Sequence, residues 1–325
     1  MKALSIFSGG LDSILAVKLV MLSGVDVLPV NFTTPFFSPD KAIESAEKNS
    51  LPIKVVDITD RYFPMFKAPV YGFGGYMNPC IDCHALMLKI AGEMLTEENA
   101  SFLISGEVLG QRPMSQHKSA LAAVEKTSTM KGLVLRPLSA RLLEKTIPEI
   151  NGWVQDISLL RLSGRSRKPQ IKLAKELGVT HYPTPGGGCL LTDPIFCKRF
   201  KDLNDNSPDL NRNDIEMLKV GRHFRINPDL KMVVGRDMKE NERILELADE
   251  NGYTINTVTV PGPIVYVAGK RTPETDLLAA FMTASYSDAK MGEIELMITH
   301  NGKKEIIKSA GKPLEEFREY MIEGT

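Results

Sequence analysis

The stretch KALSIFSGGLDS occupies residues 2–13 and decides the predicted fold. Its apolar first half is typical of a buried strand, and a helix is predicted from Asp12 to about Ser23. Gly9 and Gly10 lie between the two, where they allow a tight turn and let backbone N–H groups face an anion. The stretch therefore predicts a phosphate-binding loop at a helix N-terminus, with an ordinary capped strand–helix corner as the alternative.

Apolar runs and helix-like periods alternate along the rest of the first half of the chain. Further strands are predicted at 25–32, 52–57, 101–105 and 132–135, and helices near 40–49, 81–97, 115–125 and over much of 145–178. Such alternation is typical of a parallel sheet with helices on both faces. We therefore predict a doubly wound α/β domain, in which ligands bind beyond the carboxyl ends of the strands.

The pattern changes in the middle of the chain. Residues 181–194, HYPTPGGGCLLTDP, have the composition of a loop, and a polar segment that follows has the composition of a linker. Strand-like and helix-like segments beyond it predict a second, smaller α/β domain. We assign residues 1–200 to the nucleotide-binding domain, 201–214 to the linker and 215–325 to the second domain.

Composition excludes several classes of function. The chain has 325 residues, of which 43% are hydrophobic, and this length suits about two domains. Forty basic residues balance forty acidic residues, so any nucleic-acid-binding surface must be local. The apolar runs are shorter than the ~20 residues that span a bilayer, and the first of them lacks a signal-peptide cleavage site. We expect a cytoplasmic protein without membrane association, whose four cysteines serve metal binding or redox chemistry.

Three of the cysteines have a spacing that suits a metal centre. Cys80 and Cys83 form a C-x-x-C pair at the predicted start of a helix, and Cys189 lies in the distant loop. Two thiolates one helical turn apart can bind one centre, and a third ligand leaves one position open. An incidental pair is the alternative, and Cys197 fits a buried small apolar side chain. CIDCH also matches a haem-attachment pattern, which normally requires export.

The string SGGLDS resembles the SGGxDS signature of the PP-loop ATP pyrophosphatases. The resemblance implies that ATP is cleaved between its α and β phosphates and that AMP passes to a carbonyl oxygen. It implies that Asp12 positions Mg²⁺ or the reacting groups and that the loop serines and glycines bind pyrophosphate. The predicted ATP-binding set is Ser8, Gly9, Gly10, Asp12, Ser13, Asn31, Phe32, Gly106 and Gln111.

Further segments resemble tRNA thiouridine synthetases. SGEVLGQRPMSQ at 105–116 is similar to a GE-x-LGQ-x-x-SQ segment of the 4-thiouridine synthetases, and VLRPL at 134–138 continues the likeness. GRSRKPQ at 164–170 and PGGGCLLTDP at 185–194 are similar to stretches of the 2-thiouridylase-like branch. The family implies a tRNA sulfurtransferase, in which ATP adenylates a uridine carbonyl oxygen and sulfur displaces AMP.

The resemblance leaves two routes for the sulfur, with sulfide or a persulfide carrier as donor. Relatives that depend on a [4Fe-4S] cluster hold it with a C-x-x-C pair and one distant cysteine, which makes Cys80, Cys83 and Cys189 the predicted ligands. We favour this route because a persulfide mechanism leaves one of the three without a role. In that alternative Cys189 carries the sulfur and a cysteine of the pair resolves it. Asp12 and Cys189 are the predicted catalytic residues.

Two regions are predicted to contact RNA. Residues 161–175 contain six basic and no acidic residues, which suits a phosphate backbone, although a solvated helix face is the alternative. Residues 215–290 resemble the NFACT-R domain of RNA-binding and ribosome-quality-control proteins. The predicted RNA contacts are Arg161, Arg165, Arg167, Lys168, Arg222 and Arg225, and further exposed polar groups are expected at His223, Arg236, Lys239 and Asn241.

We therefore predict an ATP-dependent tRNA uridine thiolase. A PP-loop ligase or amidotransferase that acts on a small carbonyl or carboxylate is the alternative among enzymes, but it has no need of three cysteines. A non-catalytic RNA-binding protein is the alternative outside enzymes, but it has no need of an intact SGGLDS string. The sequence leaves a homodimer open.

Overall fold

The computed structural model divides the chain into two compact units, Met1–Thr192 and Asp193–Thr325. The described residues are 1–112, 114–184, 188–207, 209–289 and 291–322. Among them, no helix has both the length and the apolar character needed to cross a membrane.

Strands and helices alternate along the first unit, as predicted. The elements are β1 (Lys2–Ile6), α1 (Leu11–Met21), β2 (Asp26–Thr33), α2 (Asp40–Lys48), β3 (Lys54–Asp57), α3 (Thr59–Lys67), α4 (Cys80–Glu93), β4 (Phe102–Ser105), α5 (Lys118–Ser128), β5 (Val134–Leu135), α6 (Ile147–Ile150) and α7 (Lys168–Glu176).

The five strands form one parallel sheet in the order β3-β2-β1-β4-β5. This order confirms the predicted doubly wound α/β fold. The central strand β1 is buried at Ala3 and Leu4, and α1 adds Leu11, Ile14 and Leu15 to the same core. Strand β1 lies between β2 and β4 in the sheet. The chain runs from β1 outward through β2 to β3, and then crosses back to β4 on the other side of β1. The loops after β1 and β4 therefore meet at the point where a doubly wound sheet forms its ligand crevice.

Two parts of the first unit differ from the sequence prediction. Helix α3 was not predicted because Pro64 lies inside it, and proline normally marks a helix boundary. The largely helical prediction for 145–178 is wrong, since the chain there is irregular between the short α6 and α7. Gly152 and Gly164 have left-handed φ values of 64° and 83°, which turn the backbone out of a helix. The apolar side chains that mimicked a helical period pack onto the core from this irregular chain.

The second unit contains one antiparallel sheet with helices, which confirms the predicted second domain. Its strand order is β11-β10-β8-β9-β7-β6. The elements are α8 (Pro194–Asn206), α9 (Arg212–Met217), β6 (Arg222–Asn227), β7 (Leu230–Val234), α10 (Met238–Leu247), β8 (Gly252–Thr257), β9 (Ile264–Ala268), α11 (Pro273–Ser285), β10 (Glu293–His300) and β11 (Lys303–Ala310).

The segment 201–214, predicted as a linker, includes the last turns of α8 and the start of α9. Within the second unit the guanidinium of Arg199 on α8 donates to the carbonyl oxygens of Leu218 and Gly221, at 2.6 and 3.0 Å. The polar composition of the segment therefore reflects the exposed faces of two helices. The domain bounds 1–200, 201–214 and 215–325 stay a prediction.

Candidate active site

The loop after β1 requires a glycine at Gly9. Its φ is +73°, and a Cβ there would lie 2.7 Å from the Cα atom of Ala42 and 2.8 Å from the carbonyl oxygen of Lys41. The carbonyl oxygen of Gly9 accepts a hydrogen bond of 2.8 Å from Ser45 Oγ on α2. The loop is therefore pressed backbone to backbone against the start of α2, with no space for a side chain.

Helix α1 begins at this loop without a side-chain cap. Its N-cap residue, Gly10, has no capping group, and Ser13 Oγ donates instead to the Gly10 carbonyl oxygen at 2.8 Å. Ser8 Oγ accepts from the Gly10 N–H at 3.4 Å. The capped-corner alternative, with Asp12 or Ser13 as the cap, is therefore wrong. An uncapped helix N-terminus presents N–H groups and a positive dipole end to an anion.

The loop after β4 packs directly on the first turn of α1. A Cβ at Gly106 would lie 2.7 Å from both the backbone nitrogen and the Cα atom of Ser13. This close approach requires glycine at position 106. It brings the residues after Gly106 beside the loop at 7–10 between β1 and α1, which we call the phosphate-type loop.

Asp12 is held by a chain of two glutamines. Gln111 Nε2 donates to Asp12 Oδ2 at 2.6 Å, and Gln170 Nε2 donates to Gln111 Oε1 at 2.8 Å. Gln170 is 1% exposed on α7. The second carboxylate oxygen of Asp12, Oδ1, is buried and has no hydrogen-bond partner among the described residues. A carboxylate oxygen in that state fits a cation such as Mg²⁺, and Asp12 is the residue of the predicted ATP set that would hold it.

Asn31 and Phe32 are both buried near the end of β2. Asn31 Nδ2 donates to the Phe7 carbonyl oxygen at 2.8 Å, at the end of the β1 segment, and Phe32 is 3% exposed. Asn31 therefore supports the backbone that leads into the loop. Its predicted place beside adenine stays a prediction.

The three predicted ligand cysteines interact electrostatically, since Cys80 and Cys189 both affect the pKa of the Cys83 thiol. Burial is the largest cause that raises the pKa of Cys83 well above its usual value, and the neighbouring Cys189 and Cys80 raise it further. Burial also raises the pKa of Cys80, against the opposing effect of the Arg112 guanidinium. Tyr62, buried behind them, interacts with the same three cysteines. The structure therefore brings Cys80, Cys83 and Cys189 into one region. No group of three or more His, Cys, Asp or Glu side chains within the described ranges has the geometry to hold a metal ion.

One loop connects the phosphate-type loop with the thiols. Gln111 hydrogen-bonds Asp12, and Met114, three residues further along the same loop, lines a small cavity together with Cys80. The loop after β4 therefore adjoins both Asp12 and the C-x-x-C pair.

A buried ionic network behind this loop was missed by sequence analysis. The carboxylate of Glu107 accepts from Arg136 Nε at 2.9 Å and from Ser105 Oγ at 3.1 Å, and it lies 3.0 Å from His84 Nδ1. Burial alone would raise the pKa of Glu107, but Arg136 and then His84 outweigh it and lower the pKa to about 2. Arg136 also pairs with Glu125. The available signal was that Glu107 and Arg136 lie in the two motif stretches SGEVLGQ and VLRPL.

The predicted basic segment packs against the same loop. The Gly164 N–H donates to the Leu109 carbonyl oxygen at 2.8 Å, and Leu109 forms a parallel β-bridge with Ser163. Arg161, Arg165 and Lys168 are exposed, whereas Arg167 is half-buried. The basic side chains therefore surround a backbone segment that touches the nucleotide crevice, and their contact with RNA stays a prediction.

The two arginines predicted in the second unit have different surroundings. The guanidinium of Arg222 lies 5.3 Å from the ring centre of Tyr286. Arg225 forms a bidentate ion pair with Asp202, with both N–O distances 2.9 Å. Arg225 is therefore committed to an internal contact, although its predicted RNA contact is not tested.

The expectation that His223 and Asn241 are exposed is wrong. His223 is fully buried, its Nε2 lies 2.8 Å from the Val220 carbonyl oxygen, and burial lowers its pKa well below the usual value. Asn241 Oδ1 accepts from the Ile264 N–H at 2.9 Å. Both side chains therefore form hydrogen bonds with the backbone of the second unit.

Fold and site together define a doubly wound α/β protein with a glycine loop and an uncapped helix N-terminus at the crevice of its sheet, and comparison with known families finds two matches. Residues 1–157 match the model of the family described as Thiamine biosynthesis protein (ThiI), and residues 221–321 match that of the NFACT protein RNA binding domain. These two matches confirm the predicted resemblance to PP-loop thiouridine synthetases with an NFACT-R-like second domain.

The similar curated proteins are named as probable tRNA sulfurtransferases. The chain is 27% identical over 146 residues to a probable tRNA sulfurtransferase of Anoxybacillus flavithermus, covering 42% of this chain and 35% of that protein. It is 30% identical over 146 residues to one of Staphylococcus saprophyticus, covering 42% of this chain and 34% of that protein. The chain thus spans about a third of the length of these relatives. A solved structure of a 4-thiouridine synthetase in complex with RNA and ATP is 21% identical, with a TM-score of 0.36 over 55% of this chain and 51% of that one.

Proposed function

We propose that the first unit uses ATP to adenylate a carbonyl oxygen of a uridine in tRNA and then replaces that oxygen with sulfur. The observation that carries the proposal is the loop in which Gln111 holds Asp12 and Met114 lines a cavity with Cys80. An activation site and a set of thiols at one crevice suit a reaction that first activates a carbon and then delivers sulfur to it.

The phosphate-type loop supplies the first step. The uridine oxygen attacks the α-phosphorus of ATP, the bond to the β-phosphate oxygen breaks, and pyrophosphate leaves. The uncapped N–H groups of α1 with Ser8, Gly9, Gly10 and Ser13 would bind the pyrophosphate. Asp12 would hold Mg²⁺ through its unpartnered Oδ1, which offsets the charge that builds up on the leaving group.

The second step forms a carbon–sulfur bond. A sulfide sulfur attacks the activated uridine carbon, the carbon–oxygen bond breaks, and AMP leaves with the former uridine oxygen. The proton released from the sulfur passes to solvent. The base retains a C=S group in place of C=O, so no oxidant or reductant is consumed when sulfide is the donor.

For the carrier of this sulfide we propose a cluster held by the three cysteines. The donor set of Cys80, Cys83 and Cys189 is entirely sulfur, which suits iron–sulfur ligation, and the three thiols lie near enough to act on one another. When bound, a [4Fe-4S] cluster would supply an iron with an open position for sulfide. The persulfide route, with Cys189 as the carrier, is the alternative that uses the same thiols.

The RNA would be held by two surfaces. The exposed Arg161, Arg165 and Lys168 adjoin the crevice and suit a phosphate backbone. The second unit resembles a domain whose family description names RNA binding, and Arg222 is its half-buried basic candidate. We propose tRNA as the substrate because of the names of the similar proteins.

The test separates activation from sulfur insertion. ATP–pyrophosphate exchange in the presence of tRNA measures the first step, and thiouridine content of the recovered tRNA measures the second. We expect Asp12→Asn to abolish both, and Cys189→Ser to abolish thiolation while exchange continues. Cys197→Ser is the matched cysteine control, and it should retain both activities. Thiolation that persists in Cys189→Ser would refute the sulfur assignment.

The route of the sulfur is tested by anaerobic purification. Iron, acid-labile sulfide and the visible spectrum are measured for the wild type and for each of the three cysteine-to-serine variants. We expect about four irons per chain, lost in each variant. An iron-free wild type that still thiolates tRNA would replace the cluster route with the persulfide route, and labelling of Cys189 with a persulfide reagent would then be positive.

A further inference from the structure

Residues 69–78 form an exposed loop of unusual composition immediately before the C-x-x-C pair, which we call the aromatic loop. Tyr71, Phe73 and Tyr76 are 43%, 47% and 50% exposed, and Val70 beside them is 77% exposed. Exposed aromatic side chains concentrated in one short loop mark a binding surface rather than a folding requirement.

The aromatic loop has a defined shape that is set from within α4. Asp82, buried between the two cysteines of the pair, accepts the N–H groups of Val70 and Tyr71 at 2.9 and 3.0 Å. At the other end the Gly74 N–H donates to the Asn78 carbonyl oxygen at 3.0 Å. The segment that carries the cysteines therefore also positions the aromatic rings.

Phe73 extends a buried stack of aromatic rings to the surface. Its ring centre lies 5.1 Å from that of Phe66, which in turn stacks on Phe36 at 5.9 Å with the planes 22° apart. Phe66 and Phe36 are at most 1% exposed. Because the Phe73 ring is already packed on Phe66, it loses little conformational entropy when a second planar group stacks on it.

The aromatic loop encloses a small cavity beside a thiol. The cavity has a volume of about 60 Å³, and its lining includes Tyr71, Phe73, Cys80 and Met114. Asn78 also lines it, and its Nδ2 donates to Cys80 Sγ at 3.4 Å. The aromatic rings of Tyr71 and Phe73, the Asn78 amide and the Cys80 thiol thus line the same cavity.

We propose that the aromatic loop binds an unstacked nucleobase of the RNA substrate and presents it to the thiols. The inference rests on the proposed function, because delivery of sulfur requires the base to approach the cysteines. A base inside a helix cannot be reached by an active site, so it must leave the stack. Proteins hold such bases by stacking them on aromatic side chains.

The experiment measures the affinity for RNA directly. Fluorescence anisotropy of a fluorescein-labelled single-stranded oligouridine is compared for the wild type, Phe73→Ala, Tyr71→Ala and Phe73→Tyr at one salt concentration. We expect each alanine variant to bind between about 5-fold and about 150-fold more weakly, and Phe73→Tyr to bind as the wild type does. Ile157→Ala, which removes an apolar side chain that is 66% exposed in the same unit, is the control and should not change the affinity.

The outcomes separate this inference from the proposed function. Loss of oligouridine binding in both alanine variants, with ATP affinity retained, supports a base-binding loop even if the wild type forms no thiouridine, in which case only the proposed function fails. Unchanged binding in both alanine variants overturns the inference whatever the thiolation assay shows. Weaker sulfur transfer from a protein persulfide donor, with unchanged RNA affinity, would also overturn it and would assign the aromatic loop to donor docking.

Discussion

Gln170→Leu tests whether the two-glutamine chain positions Asp12. Gln170 is linked to Asp12 through Gln111, by hydrogen bonds of 2.8 and 2.6 Å. Leucine has a similar size and cannot donate, so Gln111 Oε1 loses its partner and the Gln111 amide can rotate. The Nε2 donor would then no longer be fixed on Asp12 Oδ2.

The expected size of the effect follows from the burial of the two glutamines. A buried hydrogen bond between neutral groups contributes about 0.5–1.5 kcal/mol, and an unsatisfied buried acceptor costs up to about 3 kcal/mol. Gln111 is only half-buried, so water can reach its oxygen and the smaller values apply. A loss of about 1 kcal/mol corresponds to a roughly fivefold decrease in the rate of adenylation.

The assay is ATP–pyrophosphate exchange at saturating tRNA over a range of ATP and Mg²⁺ concentrations. Because the proposed role of Asp12 is to hold Mg²⁺ at the leaving group, we expect kcat to fall about fivefold with little change in the KM for ATP. Since Gln170 acts through Gln111, the double variant Gln111→Leu, Gln170→Leu should be no slower than Gln111→Leu alone. Additive effects of the two substitutions would refute the chain. Ile171→Ala on the same helix is the control and should exchange at the wild-type rate.

Three further predictions concern stability and the second unit. Glu107→Gln should lower the free energy of unfolding in urea by up to about 3 kcal/mol, because it removes one of the two carboxylates that pair with the buried Arg136 guanidinium and leaves Glu125 as the other. The folded pKa of Glu107, about 2, lies below its unfolded value, so the stability that this group contributes is present above about pH 4.5 and should be lost as the pH falls towards 2. Gly9→Ala should destabilise the first unit more than Gly152→Ala, which has a similar positive φ but no neighbour within 4 Å; equal losses in thermal melts would contradict the close-contact explanation. Arg225→Ala should lower thermal stability, since it breaks a bidentate ion pair, whereas Arg222→Ala should weaken RNA binding uniformly across sequences and leave the melting temperature unchanged.

Features encoded by neighbouring residues were predictable from the sequence. The phosphate-type loop is determined by a glycine pair between an apolar run and a helix, and the hydrogen bonds of Ser8 and Ser13 to Gly10 are local. The five strands were predicted from continuous apolar runs because both faces of a parallel sheet are covered. The C-x-x-C spacing suits two cysteines one helical turn apart. The sequence therefore placed the pair at the start of a helix, and α4 begins at Cys80.

Features that depend on distant pairs were not predictable. Gln170 is separated from Gln111 by 59 residues, and Arg136 from Glu107 by 29, so no spacing rule relates them. His84 was given no function because a lone histidine beside a cysteine has many ordinary explanations, and only the fold shows its Nδ1 facing Glu107. The helical prediction for 145–178 was wrong because apolar side chains of this irregular segment pack on one core, and their spacing in the sequence resembles that of a helix.

The sheet topology explains why one loop serves several predicted roles. The chain leaves β4 beside β1 at the crevice, so the residues after Ser105 must pass next to α1 before the chain can enter α5. The close approach at Gly106 fixes the start of that passage, and the β-bridge between Leu109 and Ser163 fixes its middle to the basic segment. Gln111 then hydrogen-bonds Asp12, and Met114 lines a cavity with Cys80. The carboxylate that would activate ATP, the basic segment and the cavity beside Cys80 therefore all adjoin this one loop.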